Sequence, residues 1–168
     1  MANTYELIEA KTLSTTTASV TFSSIPQTYT DLNLLCSIRS SRSAVAENVL
    51  IGFNGSTSSF SSKIIIGQGG SGVDNATVAR FIGVGNGDTS AANTFSNFSV
   101  YIPNYTSSNY KSYSADAVNE DNDALAFACL TAGLWSNTAS ITSIELTLAL
   151  ANNFKVNCTF YLYGIKNS

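Results

Sequence analysis

The sequence contains no histidine. That removes the usual base of a nucleophilic triad, the most frequent general acid and base, and the commonest transition-metal ligand. A serine or cysteine nucleophile would need another activator, and the lysines stand scattered at 11, 63, 111, 155 and 166. Catalysis is therefore not expected. The densest set of possible ligands is Asn119 to Asp123, where Glu120, Asp121 and Asp123 could hold a hard cation such as calcium. The run lacks the glycine and spacing of an EF-hand loop, so a solvated turn is the ordinary reading. No cofactor is expected.

Gly67, Gly69 and Gly72 match a dinucleotide-type glycine pattern, which requires a following helix. The residues after them, Val78, Phe81, Ile82 and Val84, suit a strand, so a loop is the better reading. Gly69 to Asp74 also fits one copy of the calcium-binding nonapeptide repeat, but a single copy cannot stack. Asn-x-Ser/Thr matches at Asn54, Asn75, Asn97, Asn104 and Asn157 are what an Asn-, Ser- and Thr-rich chain produces by chance. Cys36, Cys129 and Cys158 are odd in number and each sits at an apolar strand position, as buried free thiols do.

Aromatic residues offer the other candidate site. The Tyr-rich segment Tyr101 to Tyr113, in which Tyr105 and Tyr110 flank the Thr106 to Asn109 loop and Tyr101 and Tyr113 lie outside them, suggests a contact surface, whereas Trp135 is explained as well by core packing.

The elements that must position these groups read as strands throughout. Leu32, Leu34, Cys36 and Ile38 alternate with Asn33, Leu35, Ser37 and Arg39. Phe98, Val100 and Ile102 repeat the pattern, as do Ile144 to Leu150 and Val156 to Leu162. Further runs cover Tyr5–Leu13, Ala18–Phe22, Val49–Phe53, Lys63–Ile66, Val78–Val84, Tyr110–Val118 and Ala124–Leu134, about ten strands in all. Asn54-Gly55 is a hairpin signal, and Ile25-Pro26, Asn86-Gly87, Pro103-Asn104 and Asn152-Asn153 mark other turns. No capped stripe of helical period occurs. The expectation is an all-β, antiparallel two-sheet sandwich, jelly-roll-like, forming one domain over residues 1–168.

Composition bounds the partners. Only 11% of the residues are charged, and Ser, Thr and Asn fill about a third of the chain in place of the usual Lys and Glu. A formal net charge of -3 gives no electrostatic case for binding nucleic acid. Low charge also forgoes the repulsion that keeps crowded proteins apart, which suits a molecule packed in an assembly. Met1 to Leu13 mixes Glu6, Glu9 and Lys11 among apolar residues, unlike a secretory signal, and the longest apolar stretch, Ala124 to Trp135, is too short for a bilayer. Synthesis in a cytoplasm and no membrane partner are expected.

The run Ala18 to Leu32, ASVTFSSIPQTYTDL, followed by Ser37-Ile38-Arg39-Ser40 and the ending Leu162 to Asn167, LYGIKN, resembles small virion proteins of marine and cyanobacterial tailed phages. The resemblance covers about the first forty residues and the last ten; Ala44 to Asn153 matches only in strand-and-turn texture. It implies a structural place in the particle, in the virion assembled in the bacterial cytoplasm. One role is a capsid decoration or cement protein, a homo-oligomer with a trimer favoured, bound to the major capsid protein. The other is a tail fibre or receptor-binding module. Size and the lack of a repetitive stalk favour decoration, with Ala2 to Lys11 as the docking strand or arm. A carbohydrate-acting enzyme would need paired carboxylates, which only Glu120 to Asp123 could supply.

Overall fold

Alternation of buried and exposed residues carries through almost every strand, as in β9, whose nine residues alternate without a break. The computed structural model describes residues 4–68, 73–122 and 126–166. Twelve strands and no helix occur among them: β1 (Tyr5–Thr12), β2 (Ser19–Phe22), β3 (Asp31–Ile38), β4 (Ala46–Phe53), β5 (Phe60–Gln68), β6 (Val73–Ala76), β7 (Phe81–Asn86), β8 (Ser96–Ile102), β9 (Lys111–Asn119), β10 (Phe127–Trp135), β11 (Ile144–Leu148) and β12 (Thr159–Ile165). They form two antiparallel sheets, an eight-stranded one in the order β1-β12-β3-β8-β9-β10-β5-β6 and a four-stranded one in the order β2-β11-β4-β7. The chain is an all-β sandwich.

Eight strands pair in a nest, β1 with β12, β2 with β11, β3 with β8 and β4 with β7. The other four are two inserted hairpins, β5–β6 and β9–β10, which join the first sheet beyond β8 and widen it. The two inner faces bury one core in which Leu34, Ile38, Ile51, Phe98, Val100, Leu146 and Phe160 are wholly enclosed. Under the widened half lies an aromatic nest: Trp135 stacks on Phe60 at 6.0 Å, and Phe53 meets Trp135 and Tyr113 edge-on.

Glycine admits two of these contacts. The Tyr113 ring lies flat on the bare backbone of Gly133, where a Cβ would stand 2.0 Å from the ring. At Gly83, φ is +150° and a Cβ would meet Ala117 at 2.2 Å, so β7 approaches the larger sheet only without a side chain there.

Departures from the expected elements have local causes. Asn54 and Gly55 do make a tight turn with both φ positive, and Ser56 N–H donates to Phe53 C=O at 2.8 Å. Yet β4 and β5 belong to different sheets, so the turn starts a crossover and not a hairpin. Asn54 is pinned instead by its side chain, whose Oδ1 accepts Thr142 N–H at 2.8 Å and whose Nδ2 donates to Ser140 C=O at 2.8 Å. Leu150 and Val156 fall outside β11 and β12 and are exposed, because Ala151 and Asn157 take positive φ and end the extended runs. Part of the glycine-rich region is strand: β5 runs to Gln68 and β6 pairs antiparallel with it, while 69–72 lie outside the described residues. The N-terminal segment expected as a docking arm is a strand over Tyr5–Thr12, at the sheet's edge, with a bulge between Leu7 and Glu9 that blunts that edge.

Asn33 Oδ1, Thr131 Oγ1 and Trp135 Nε1 are buried without a hydrogen-bond partner among the described residues, and the threonine is the simplest to correct. Thr131 is buried on the inner face of β10. Thr131→Val keeps the shape and removes the unpaired hydroxyl, so it should stabilise the fold by about 1 kcal/mol and raise Tm by about 2–4 °C in a calorimetric scan. A lowered Tm would show that the hydroxyl has a partner.

Candidate contact surface and buried charges

Four of the buried charged side chains stand where loops must be fastened. Arg39, just after β3, is 6% exposed and its guanidinium is held by the β7–β8 loop. Nη1 donates to the carbonyls of Ala91 at 2.7 Å and Thr94 at 2.9 Å and to Thr94 Oγ1 at 3.0 Å. Nη2 donates to the carbonyls of Ser90 at 2.8 Å and Asp88 at 3.3 Å. Lys111, at the start of β9 and 1% exposed, donates to the carbonyls of Ser107 and Asn109, each at 2.6 Å, and of Thr138 at 3.4 Å. Burial pushes its pKa below the ordinary lysine value. Glu47 accepts from Asn152 Nδ2 at 2.6 Å, which ties down the β11–β12 loop. Asp31 accepts the Tyr101 hydroxyl at 2.8 Å and Asn104 N–H at 2.8 Å.

These partners leave little for chemistry. A cavity of about 350 Å³ opens beside Arg39 between Asp88, Asn93, Phe95, Lys155 and Asn157, but Asp88 and Lys155 pair with each other and the guanidinium is already spent on the loop. Ser108 and Lys111 do share the Ser-x-x-Lys spacing of a known nucleophile pair. Lys111 Nζ turns to three carbonyls and Ser108 is exposed.

The carboxylate run is described only in part. Glu120 is exposed and its Oε1 accepts Asn122 N–H at 2.7 Å, Asp121 is buried, and Asp123 lies outside the described residues. Among the described residues no cluster of three or more metal-ligating side chains forms.

The four tyrosines divide. Tyr105 is 0% exposed with its hydroxyl on Pro26 C=O, and Tyr113 is 2% exposed on Gly133, so both belong to the core and neither can contact a partner in this fold. Their aromatic bulk filled holes left by a turn and a glycine. Tyr101 and Tyr110 are 39% and 59% exposed and remain available. Trp135 is buried.

The three cysteines are buried and unpaired. Burial pushes the pKa of each thiol upward, with Cys158 opposing the charge on Cys36, and with backbone hydrogen bonds easing Cys129 and Cys158. Thiolate is the reactive form, so the folded protein should consume no thiol-reactive dye at pH 8, and all three residues should react once denaturant unfolds it. Rapid labelling of the folded protein would contradict this burial.

The outer face of the eight-stranded sheet is the feature sequence reasoning missed. Tyr5, Leu7, Leu35, Ile65, Tyr101, Val118 and Leu130 all lie on it, seven of the ten large hydrophobic side chains exposed among the described residues. Side chains scattered singly over a surface need no explanation, but a concentration on one face marks a contact surface. The available signal was a break in alternation, since Leu34-Leu35 and Ile64-Ile65-Ile66 place apolar residues on both faces of their strands.

No family model matches the chain, and no curated protein matches it. Among the described residues no helix is long and apolar enough to cross a membrane.

Proposed function

We propose that this chain is a non-enzymatic structural protein of a bacteriophage virion, a decoration protein that binds the lattice of the major capsid protein and stabilises the head. The observation that carries the reading is the use of Arg39, Lys111, Glu47 and Asp31 to fasten loops. Buried ionic groups committed to loop carbonyls and amides make a rigid body, and they are withheld from acid, base or metal chemistry.

Two further points support it. The nested pairing of eight strands is compatible with a jelly roll, a frame used by viral coat proteins and by lectins, which bears on fold and not on activity. The residues resembling phage virion proteins include Val20, Phe22, Leu32 and Leu162, buried in β2, β3 and β12, together with exposed residues of the β2–β3 loop such as Ser23, Pro26 and Gln27, so that resemblance spans core and surface. Stabilisation then comes from many copies, each adding an interface of ordinary size, about 1,200–2,000 Å², at junctions of the capsid lattice. No cofactor is needed.

One observation favours the alternative of a tail fibre or receptor-binding module: Tyr110 projects from the β8–β9 loop into solvent. The test is to add purified chain to heads that lack it. Saturable co-sedimentation with the heads and a higher temperature of DNA release are expected. Binding to host cells without binding to heads would overturn decoration in favour of the fibre role.

A further inference from the structure

We infer that the outer face of the eight-stranded sheet is an interface between two copies of this chain related by a two-fold axis, centred on β10. The inference concerns the chain's own solution state and holds or fails independently of the virion reading.

Charge is the first argument. On the outward positions of β8, β9, β10 and β5 the only ionic side chains are Asp116 and Lys63, of opposite sign, both exposed. Among the described residues neither is in an ion pair: Lys63 Nζ donates to Thr77 Oγ1 at 2.9 Å, and Asp116 has no hydrogen-bond or ion-pair partner. Two opposite charges left unpaired in an otherwise neutral face are what a self-complementary surface requires, since each can meet its opposite on an identical partner.

Register makes the match geometric. Asp116, Leu130 and Ile65 lie in one row across β9, β10 and β5, and Lys63 stands one residue pair along β5 from Ile65. Lys63 and Asp116 are thus separated by two strand spacings and one pair step, about 12 Å. The line midway between them crosses β10 near Thr131, so a two-fold axis along that line, lying between the two faces, sets Lys63 of each copy over Asp116 of the other. The same operation lays Leu130 and Ile65 of one copy on Leu130 and Ile65 of the second.

Area and shape fit a small interface. A two-fold axis on β10 overlaps the five strands from β8 to β6, which at about 4.8 Å spacing and about 3.3 Å per residue give roughly 600 Å² per copy, at the lower end of stable complexes. A hollow of about 420 Å³ lies over Gly67 and Ala128, rimmed by Ile65, Val118 and Leu130, and offers relief into which apolar side chains can pack. A cyclic trimer joins two different patches, whereas this face carries both halves of its match and so favours the two-fold pair.

Sedimentation velocity on the full chain at about 100 µM tests the proposal, with the expected species at twice the 17.7 kDa chain mass. Asp116→Lys and Lys63→Asp should each weaken association about tenfold or more, and the double reversal K63D/D116K should restore it to within about threefold of the wild type. Both sites are exposed strand positions, so far-UV circular dichroism of the variants should match the wild type. A monomer at that concentration, a trimer, single reversals without effect, or a double reversal no better than either single would each overturn the two-fold interface. A monomer that still binds heads would overturn it and leave the decoration role standing.

Discussion

Gly133→Ala is expected to destabilise the fold by about 3 kcal/mol, lowering Tm by about 6–12 °C. The added methyl would stand 2.0 Å from Cζ and 2.3 Å from Cε1 and Cε2 of Tyr113, a ring 2% exposed. The ring has nowhere to go: Phe53 packs edge-on against it at 6.0 Å, and the Tyr113 hydroxyl reaches toward Phe81 C=O. Relief must come from displacing the aromatic nest that joins β9 and β10 to β4, and dense cores resist such movement. The effect should be specific to the pair. In a Tyr113→Ala background the glycine contact is gone, so the same substitution should cost less than about 1 kcal/mol, a coupling that urea unfolding of the four proteins in the cycle can read. Equal costs in both backgrounds would show that the ring is not what the methyl meets.

Arg39→Met should cost about 3 kcal/mol, with the loss felt first in the β7–β8 loop. Five hydrogen bonds end on one guanidinium, and four of the acceptors are carbonyls of residues 88, 90, 91 and 94, which have no strand partner to replace it. Charge alone does not do this. A lysine at 39 carries the same charge on a single nitrogen, without the fork that reaches both sides of the loop, so Arg39→Lys should recover less than half of the stability. Hydrogen exchange localises the effect: amides of residues 88–95 should lose protection in Arg39→Met while those of β3 and β12 keep theirs. Wild-type stability in the lysine variant would mean that charge, and not the fork, holds the loop.

Fold class was legible because alternation is a local property that each strand displays by itself. Leu32 to Ile38 and Lys111 to Asn119 show it apart from Leu35 and Val118, and the structure buries the faces it marks. Where that local property fails, so did the reading. Val73–Ala76 carries too short a pattern to be read as a strand, although pairing with β5 makes it one. Asn54-Gly55 identifies a turn, but whether a turn closes a hairpin or changes sheets depends on residues far along the chain, here Ser140 and Thr142.

The candidate site was less legible, for a related reason. Tyrosines in a polar stretch look alike in sequence whether they face solvent, as Tyr110 does, or close over a proline carbonyl, as Tyr105 does. Arg39 and Lys111 carry no sequence signal of their burial, since a cage of carbonyls is assembled from loops whose paths the sequence does not show. The apolar outer face came into view only when Leu35, Ile65, Val118 and Leu130 were brought by register onto one sheet.

The central claim, that this chain decorates a phage head, is tested most directly by counting it in purified particles. Heads stripped of tails should retain the chain at hundreds of copies in quantitative mass spectrometry, the number expected when a structural protein occupies repeated positions on a lattice. A few copies found only in the tail fraction would contradict decoration, and absence from the particle would contradict a virion role altogether.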